Sequence, residues 1–323
     1  MRTSTLKPRR PALALAVLLL GSVAACGGGD EAQPAAGGSS SAAAVTVDAA
    51  QFSWTAAGLT NAIVNEIAQR TPALGVKELK TTQLDPAAAW VGAQRGDIDL
   101  LTEVALPNQQ KFADQAEDKI DLVSQTYGDA SQGWFVPKYA VEPGGQLAGL
   151  TSVTQLNDYT SQLGDKFYDA DPGYVTTEQN TKRLSGYGVT LEHVVAGEAA
   201  ELAQLARAYG RKEPIVLYLY HPHAVHAQFD MVQLAEPTPY TDGCLTTGSG
   251  ACAMPAYSAN VAMSKDLQKQ APRFAQLLKN LRISVPEMEE MQKAVDVDNK
   301  DVATVAKQWV NSNSAKVSQW TSA

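Results

Sequence analysis

From Val45 onward the chain alternates short β-rich runs with stretches of helical periodicity. That alternation dictates an α/β class, in which largely parallel strands are covered by helices. Val45-Thr46-Val47 reads as a strand. Ser53 stands where it would cap a helix from Ala56 to Gln69, because Leu59, Ile63, Val64 and Ile67 fall on one face. Val76 to Thr82 is the next strand; Asp85 caps a helix carrying Ala88, Trp90, Val91 and Ala93, and Gly96 ends it. Ile98-Asp99-Leu100-Leu101 then makes a buried strand that delivers Glu103 and the Pro107-Asn108 turn to its C-terminal end. Open α/β sheets bind ligands at such ends.

A second α/β set follows. It comprises helices near Val153 to Leu163, Thr177 to Ser185 and Ala199 to Tyr209, and strands at Lys166-Phe167-Tyr168, Val194-Val195 and Ile215 to Tyr220. The chain then returns to the first set through a strand at Ala259 to Met263 and helices beginning near Gln270, Pro286 and Asp301. This order predicts two lobes joined by crossing segments, the first built from residues 45–140 and 240–323 and the second from residues 141–239. Such a clamshell closes about its hinge on a ligand. The two lobes share no internal sequence repeat.

Upstream of Val45 the chain reads as an export and anchoring device. Lys7, Arg9 and Arg10 precede an apolar run from Pro11 to Ala25, the form of a signal peptide. A run of roughly 15 residues is short against the ~20 needed to span a bilayer. It ends in Val23-Ala24-Ala25-Cys26, which resembles the lipobox of bacterial lipoproteins. The resemblance implies a signal peptide of residues 1–25, lipidation of Cys26, and a place on the extracytoplasmic face of the cell membrane. The Gly-, Ser- and Ala-rich residues 26–44 form a flexible tether. Of three cysteines, Cys244 and Cys252 then remain, in a Gly-rich loop. A disulfide between them suits an exported protein, and the alternative, a metal site, lacks a further Cys or His at ligand spacing in that loop. The net charge of −8 provides no basic stripe for nucleic acid.

Three stretches carry a resemblance to a known family. They are Arg95-Gly96-Asp97-Ile98-Asp99-Leu100 leading through Glu103 to Leu106-Pro107, the run Gln132 to Tyr139, and Pro214 to His223 continuing to Phe229-Asp230 and Leu234. In order and spacing the chain resembles the glycine betaine, carnitine and choline binding proteins of ABC importers. The resemblance implies a type II-like periplasmic-binding clamshell and a quaternary-ammonium solute. It also implies no catalytic activity or cofactor, and partnership with a permease and its ATPase. A monomer is the default for a tethered clamshell.

The chemistry of such a ligand points to particular residues. A trimethylammonium group is held by electron-rich aromatic faces, and a carboxylate by backbone amides or a helix N-terminus. Tyr220 stands at the position of a family cage aromatic, with His223 in the Pro-His pattern behind it. Ser53-Trp54-Thr55 lies where exposed amides could take an anion. Glu103 offers a negative charge that suits choline better than a zwitterion. Where the family commonly has tryptophan before the Leu-Pro turn, this chain has Ala105. A second expected cage aromatic is also missing near Leu191. Tyr127, Trp134, Tyr174, Tyr187 or Tyr257 would rebuild the cage from other positions. His221, His223 and His226 are close in sequence but have no fourth metal ligand placed by spacing. An exported hydrolase would require a Gly-x-Ser-x-Gly elbow or a His-Glu-x-x-His site, and neither is present. A membrane-receptor sensor would share the fold.

Overall fold

The computed structural model describes residues 44–322. The expected signal peptide, the lipidated Cys26 and the tether up to residue 43 lie outside the described residues. The strands are β1 (Val45–Gln51), β2 (Val76–Gln83), β3 (Leu100–Leu106), β4 (Ile120–Ala130), β5 (Gln132–Pro137), β6 (Lys166–Asp169), β7 (Glu192–Val195), β8 (Leu217–Tyr220), β9 (Met231–Gln233) and β10 (Tyr257–Ser264). They form two 5-stranded sheets, ordered β2-β1-β3-β10-β4 and β7-β6-β8-β5-β9. Each sheet is mixed. In the first, β1 pairs in parallel with β2 and β3, while β10 is antiparallel to β3 and β4. In the second, β6 pairs in parallel with β7 and β8, while β5 is antiparallel to β8 and β9.

The antiparallel members are the strands adjoining the crossings between lobes. β4 and β5 are separated by Ser131 alone, and β5 already belongs to the second sheet. The outward crossing is therefore at Ser131, not near residue 140, because the chain runs straight from one sheet into the other. The return is also later than residue 240: Leu245, Cys252 and Met254 pack in the core of the second lobe. A disulfide joins Cys244 to Cys252 there.

Strand periodicity explains how two lobes of this size are filled. Successive side chains point to opposite faces, and here both faces are apolar because helices cover both. In β1, Val47 and Ala49 enter one core with Leu59, Ile63 and Ile67, whereas Ala50 enters another with Trp90, Ile98 and Leu101. In the second lobe Trp134, Val136, Val216 and Tyr218 face one core, and Phe135, Leu217 and Leu219 the other. The helix Thr55–Arg70 buries the predicted stripe of Leu59, Ile63, Val64 and Ile67. Asp85 caps Pro86–Arg95 by accepting from the Ala88 amide at 2.8 Å, and left-handed Gly96 ends that helix. Ser53 does not cap its helix; Trp54 occupies that position without a side-chain hydrogen bond. Among the described residues no helix is long and apolar enough to cross a membrane.

Candidate functional site

The ends of the central strands meet across a cleft between the two sheets. β3 brings Glu103 and Ala105 to its wall, β10 brings Tyr257 and Ala259, and β8 brings Tyr218 and Tyr220. Two helix N-termini complete it. Trp54 precedes Thr55–Arg70, and Tyr174 precedes Val175–Gly186, whose Val175 and Thr176 also line the cleft. Neither helix start is capped by a side chain; the Ala57 and Thr177 amides donate to the Trp54 and Tyr174 carbonyls, which leaves the two amides before each to face an anion. The empty space, including its part open to solvent, is ≈ 570 Å³.

One wall is aromatic. Trp54 stacks on Phe52 at 4.5 Å and meets Tyr174 edge-on at 5.3 Å, joining the two lobes. Tyr220 lies 6.0 Å from Tyr218 and 5.0 Å from the His223 ring. Behind this wall sits Glu198, in the first turn of the helix Glu198–Arg211. Its Oε2 accepts from the hydroxyls of Tyr174 (2.8 Å) and Tyr220 (3.0 Å), and its Oε1 contacts His223 Nε2 at 3.1 Å. The Val225 amide donates to His223 Nδ1, which assigns the proton of this ring to Nε2, facing Glu198. Burial by itself would raise the Glu198 carboxyl, but the hydrogen bond and coulombic attraction of His223, with hydrogen bonds from Tyr174 and Tyr220, outweigh it and hold the group below the usual carboxylate range.

The other wall is acidic. Glu103 is 2% exposed, accepting from Thr60 Oγ1 at 2.9 Å and from the Tyr127 hydroxyl at 2.7 Å. Burial pushes its carboxyl up to about 7 despite those two hydrogen bonds. At the crossing, Asn108 and Gln132 exchange amide hydrogen bonds at 3.1 and 3.2 Å, and the Tyr218 hydroxyl donates to Gln132 Oε1. Both amide side chains reach the cleft.

Of the residues expected from sequence, Tyr220, Trp54, Glu103 and Tyr127 line this cleft. His223 stands behind Tyr220, on Glu198. Ser53 donates from the first lobe to the Tyr174 hydroxyl at 3.2 Å and lines a smaller recess beside the cleft. Thr55 turns away, bonding Asp296 at 2.8 Å. Trp134 is not a cleft residue: its indole is fully buried, donates to Asn180 at 2.8 Å and lies under the Arg183 guanidinium. Tyr187 packs against Trp134 and bonds Glu236, also away from the cleft. Strand parity in β5 turns Trp134 into the second-lobe core, whereas Tyr187 sits at the C-cap of the helix Val175–Gly186, the end opposite Tyr174. The three clustered histidines take different hydrogen-bond partners, His221 Glu289, His223 Glu198 and His226 the Tyr220 carbonyl, while the His221 and His226 rings stack at 3.7 Å. Tyr174 and Tyr257, which sequence offered only as substitutes, are in the wall. Glu198 was missed, and its sole sequence signal is an acidic residue opening a helix after Gly197.

Comparison with known proteins adds the following. Residues 45–312 match a family described as OpuAC, the substrate-binding domain of ABC-type glycine betaine transport systems. The glycine betaine/carnitine transport binding protein GbuC of Listeria monocytogenes serotype 1/2a (strain 10403S) is 28% identical over 184 residues, a match covering 54% of this chain and 56% of GbuC. Among solved structures, an ABC-transporter choline binding protein in complex with choline superposes with a TM-score of 0.71 at 21% identity, covering 86% of this chain and 91% of that one. Lactococcal OpuAC, closed around glycine betaine, gives 0.70 at 22% identity, covering 85% and 99%. At these identities the superpositions establish the two-lobed clamshell.

Proposed function

The chain belongs to the family of substrate-binding domains of ABC-type glycine betaine transport systems, and from that premise we propose that it captures a quaternary-ammonium solute in this cleft and presents it to a membrane permease driven by an ATPase. The observation that carries the reading is the aromatic wall of Trp54, Tyr174 and Tyr220, contributed by both lobes and backed by an ionised carboxylate. A trimethylammonium group has no hydrogen-bond donor, and π-faces are the surfaces that bind it. Contacts from both lobes make ligand binding favour closure, which the permease reads. The chain needs no catalytic step for this role. It acts as a monomer on the extracytoplasmic face of the membrane, held by lipid on Cys26; metabolic labelling with palmitate should mark the wild type and not Cys26→Ser.

Choline is the favoured solute, because its hydroxyl can donate to Glu103 while its charge is balanced by that carboxylate. The two uncapped helix starts favour glycine betaine as a second reading, with Glu103 protonated. Trp54 reports either event by fluorescence. Titration with choline should change the emission of wild type saturably, and Trp54→Phe should remove that change. An unchanged emission with both solutes, together with no competition between them, would rule the reading out.

A further inference from the structure

We propose that Glu198 sets the preference of the cleft for cations from behind the aromatic wall, fixing Tyr174 and Tyr220 through their hydroxyls and adding its negative charge to both rings. The inference rests on the quaternary-ammonium reading of the cleft and assigns a positioning residue that touches no ligand itself. One carboxylate oxygen receives both phenols, at 2.8 and 3.0 Å, so neither ring can swing without breaking a charge-assisted hydrogen bond. The other oxygen is engaged by His223, itself locked by the Val225 amide. Ser53 adds a bond from the first lobe to the Tyr174 hydroxyl, extending the chain of contacts across the cleft.

The site is well shielded. The Glu198 side chain is 17% and that of His223 5% exposed. With Nδ1 accepting from the Val225 amide, His223 meets Glu198 through Nε2–H, so three donors satisfy the carboxylate and hold its negative charge behind the rings. That charge reaches a cation on the far side of the rings through low-dielectric material, where it is felt more strongly than through water. A ring hydrogen-bonded to an anion is also a richer π-donor than a free phenol, which strengthens a cation–π contact. A neutral ligand of the same shape gains only the ring positions.

The test titrates the full protein with choline and with its uncharged isostere 3,3-dimethylbutan-1-ol, for wild type, Glu198→Gln and Glu198→Asp. Glu198→Gln should weaken choline on the order of 10- to 30-fold and the isostere less than about 3-fold, with Glu198→Asp recovering part of the choline affinity. Equal losses for both probes, or no loss for choline, would overturn the inference while leaving the cleft assignment standing. Failure of the wild type to bind any quaternary-ammonium probe would overturn the proposed function and this inference with it. Should Glu198→Gln not fold, Tyr174→Phe and Tyr220→Phe sever the same bonds and keep the rings. Each should then cost choline several-fold and the isostere little; the reverse pattern would overturn the inference.

Discussion

Acidification from about pH 8 to about pH 6 should weaken choline binding about tenfold, and Glu103 should be the reason. Its carboxyl, pushed up to about 7 by burial, is the cleft group placed to change charge in that interval. Glu198 is held low by its donors, and burial drives the Tyr127, Tyr174, Tyr220 and Tyr257 phenols upward. With the midpoint at about 7, roughly nine-tenths of Glu103 is ionised at about pH 8 and one-tenth at about pH 6. The affinity of a cation that needs the carboxylate scales with that fraction. Glycine betaine, whose own carboxylate is repelled by ionised Glu103, should hold or gain affinity on the same descent. Stability moves with the same proton. Between about 4.5 and about 7 the folded state keeps a proton that the unfolded state has released, so stability falls as pH rises through that window and levels off above it. The drop is about 3 kcal/mol. Glu103→Gln should flatten both profiles, since the hydroxyls of Thr60 and Tyr127 can reorient toward an amide. Calorimetry in two buffers of different ionisation heat reads affinity and proton release together. A choline affinity independent of pH in the wild type, or the same slope in Glu103→Gln, would refute the reasoning.

Other substitutions separate the cleft from the scaffold. Trp134→Ala should cost about 3–5 kcal/mol of stability by chemical denaturation, as large-to-small core changes do, with no selective change in ligand preference once the protein is folded. Removing the disulfide by Cys244→Ala with Cys252→Ala opens a short ring, 8 residues apart in sequence; loop-closure entropy sets the loss at about 2–3 kcal/mol, visible as a lower melting temperature. Gly186→Ala would place a methyl 2.5 Å from the Ser249 carbonyl oxygen and 2.6 Å from the Ala251 nitrogen. Overpacking against backbone of this kind costs about 1–3 kcal/mol, and an unchanged melting temperature would show that the 249–251 turn yields freely.

The architecture was legible because its signals are local. The stripe on Thr55–Arg70, the Asp85 cap and the Gly96 stop each lie within a few residues of the structure they specify. β4 was not read as a strand because Ile120–Ala130 is an edge strand with many polar, partly exposed positions, which blurs alternation. Strand direction is also nonlocal, and the antiparallel pairing of β10 depends on the return crossing. At the site, Tyr220, Trp54 and Glu103 could be found because strand ends and helix starts are where α/β folds place ligands. Trp134 misled because a tryptophan in a motif looks alike whether its indole N–H meets a ligand or, as here, Asn180. Glu198 was invisible for a related reason. An acid in a first helical turn is ordinarily explained by the helix dipole, and its partners Tyr174, Tyr220 and His223 stand more than twenty residues away.

The central claim is that the aromatic wall holds a quaternary ammonium. Calorimetric titration with choline and glycine betaine, run on wild type and on Tyr220→Ala, tests it most directly. The account predicts saturable one-to-one binding in the wild type, weakened in Tyr220→Ala by about 30-fold, the loss expected for one desolvated cation–π contact. No binding of either solute, or binding that Tyr220→Ala leaves unchanged, would contradict it.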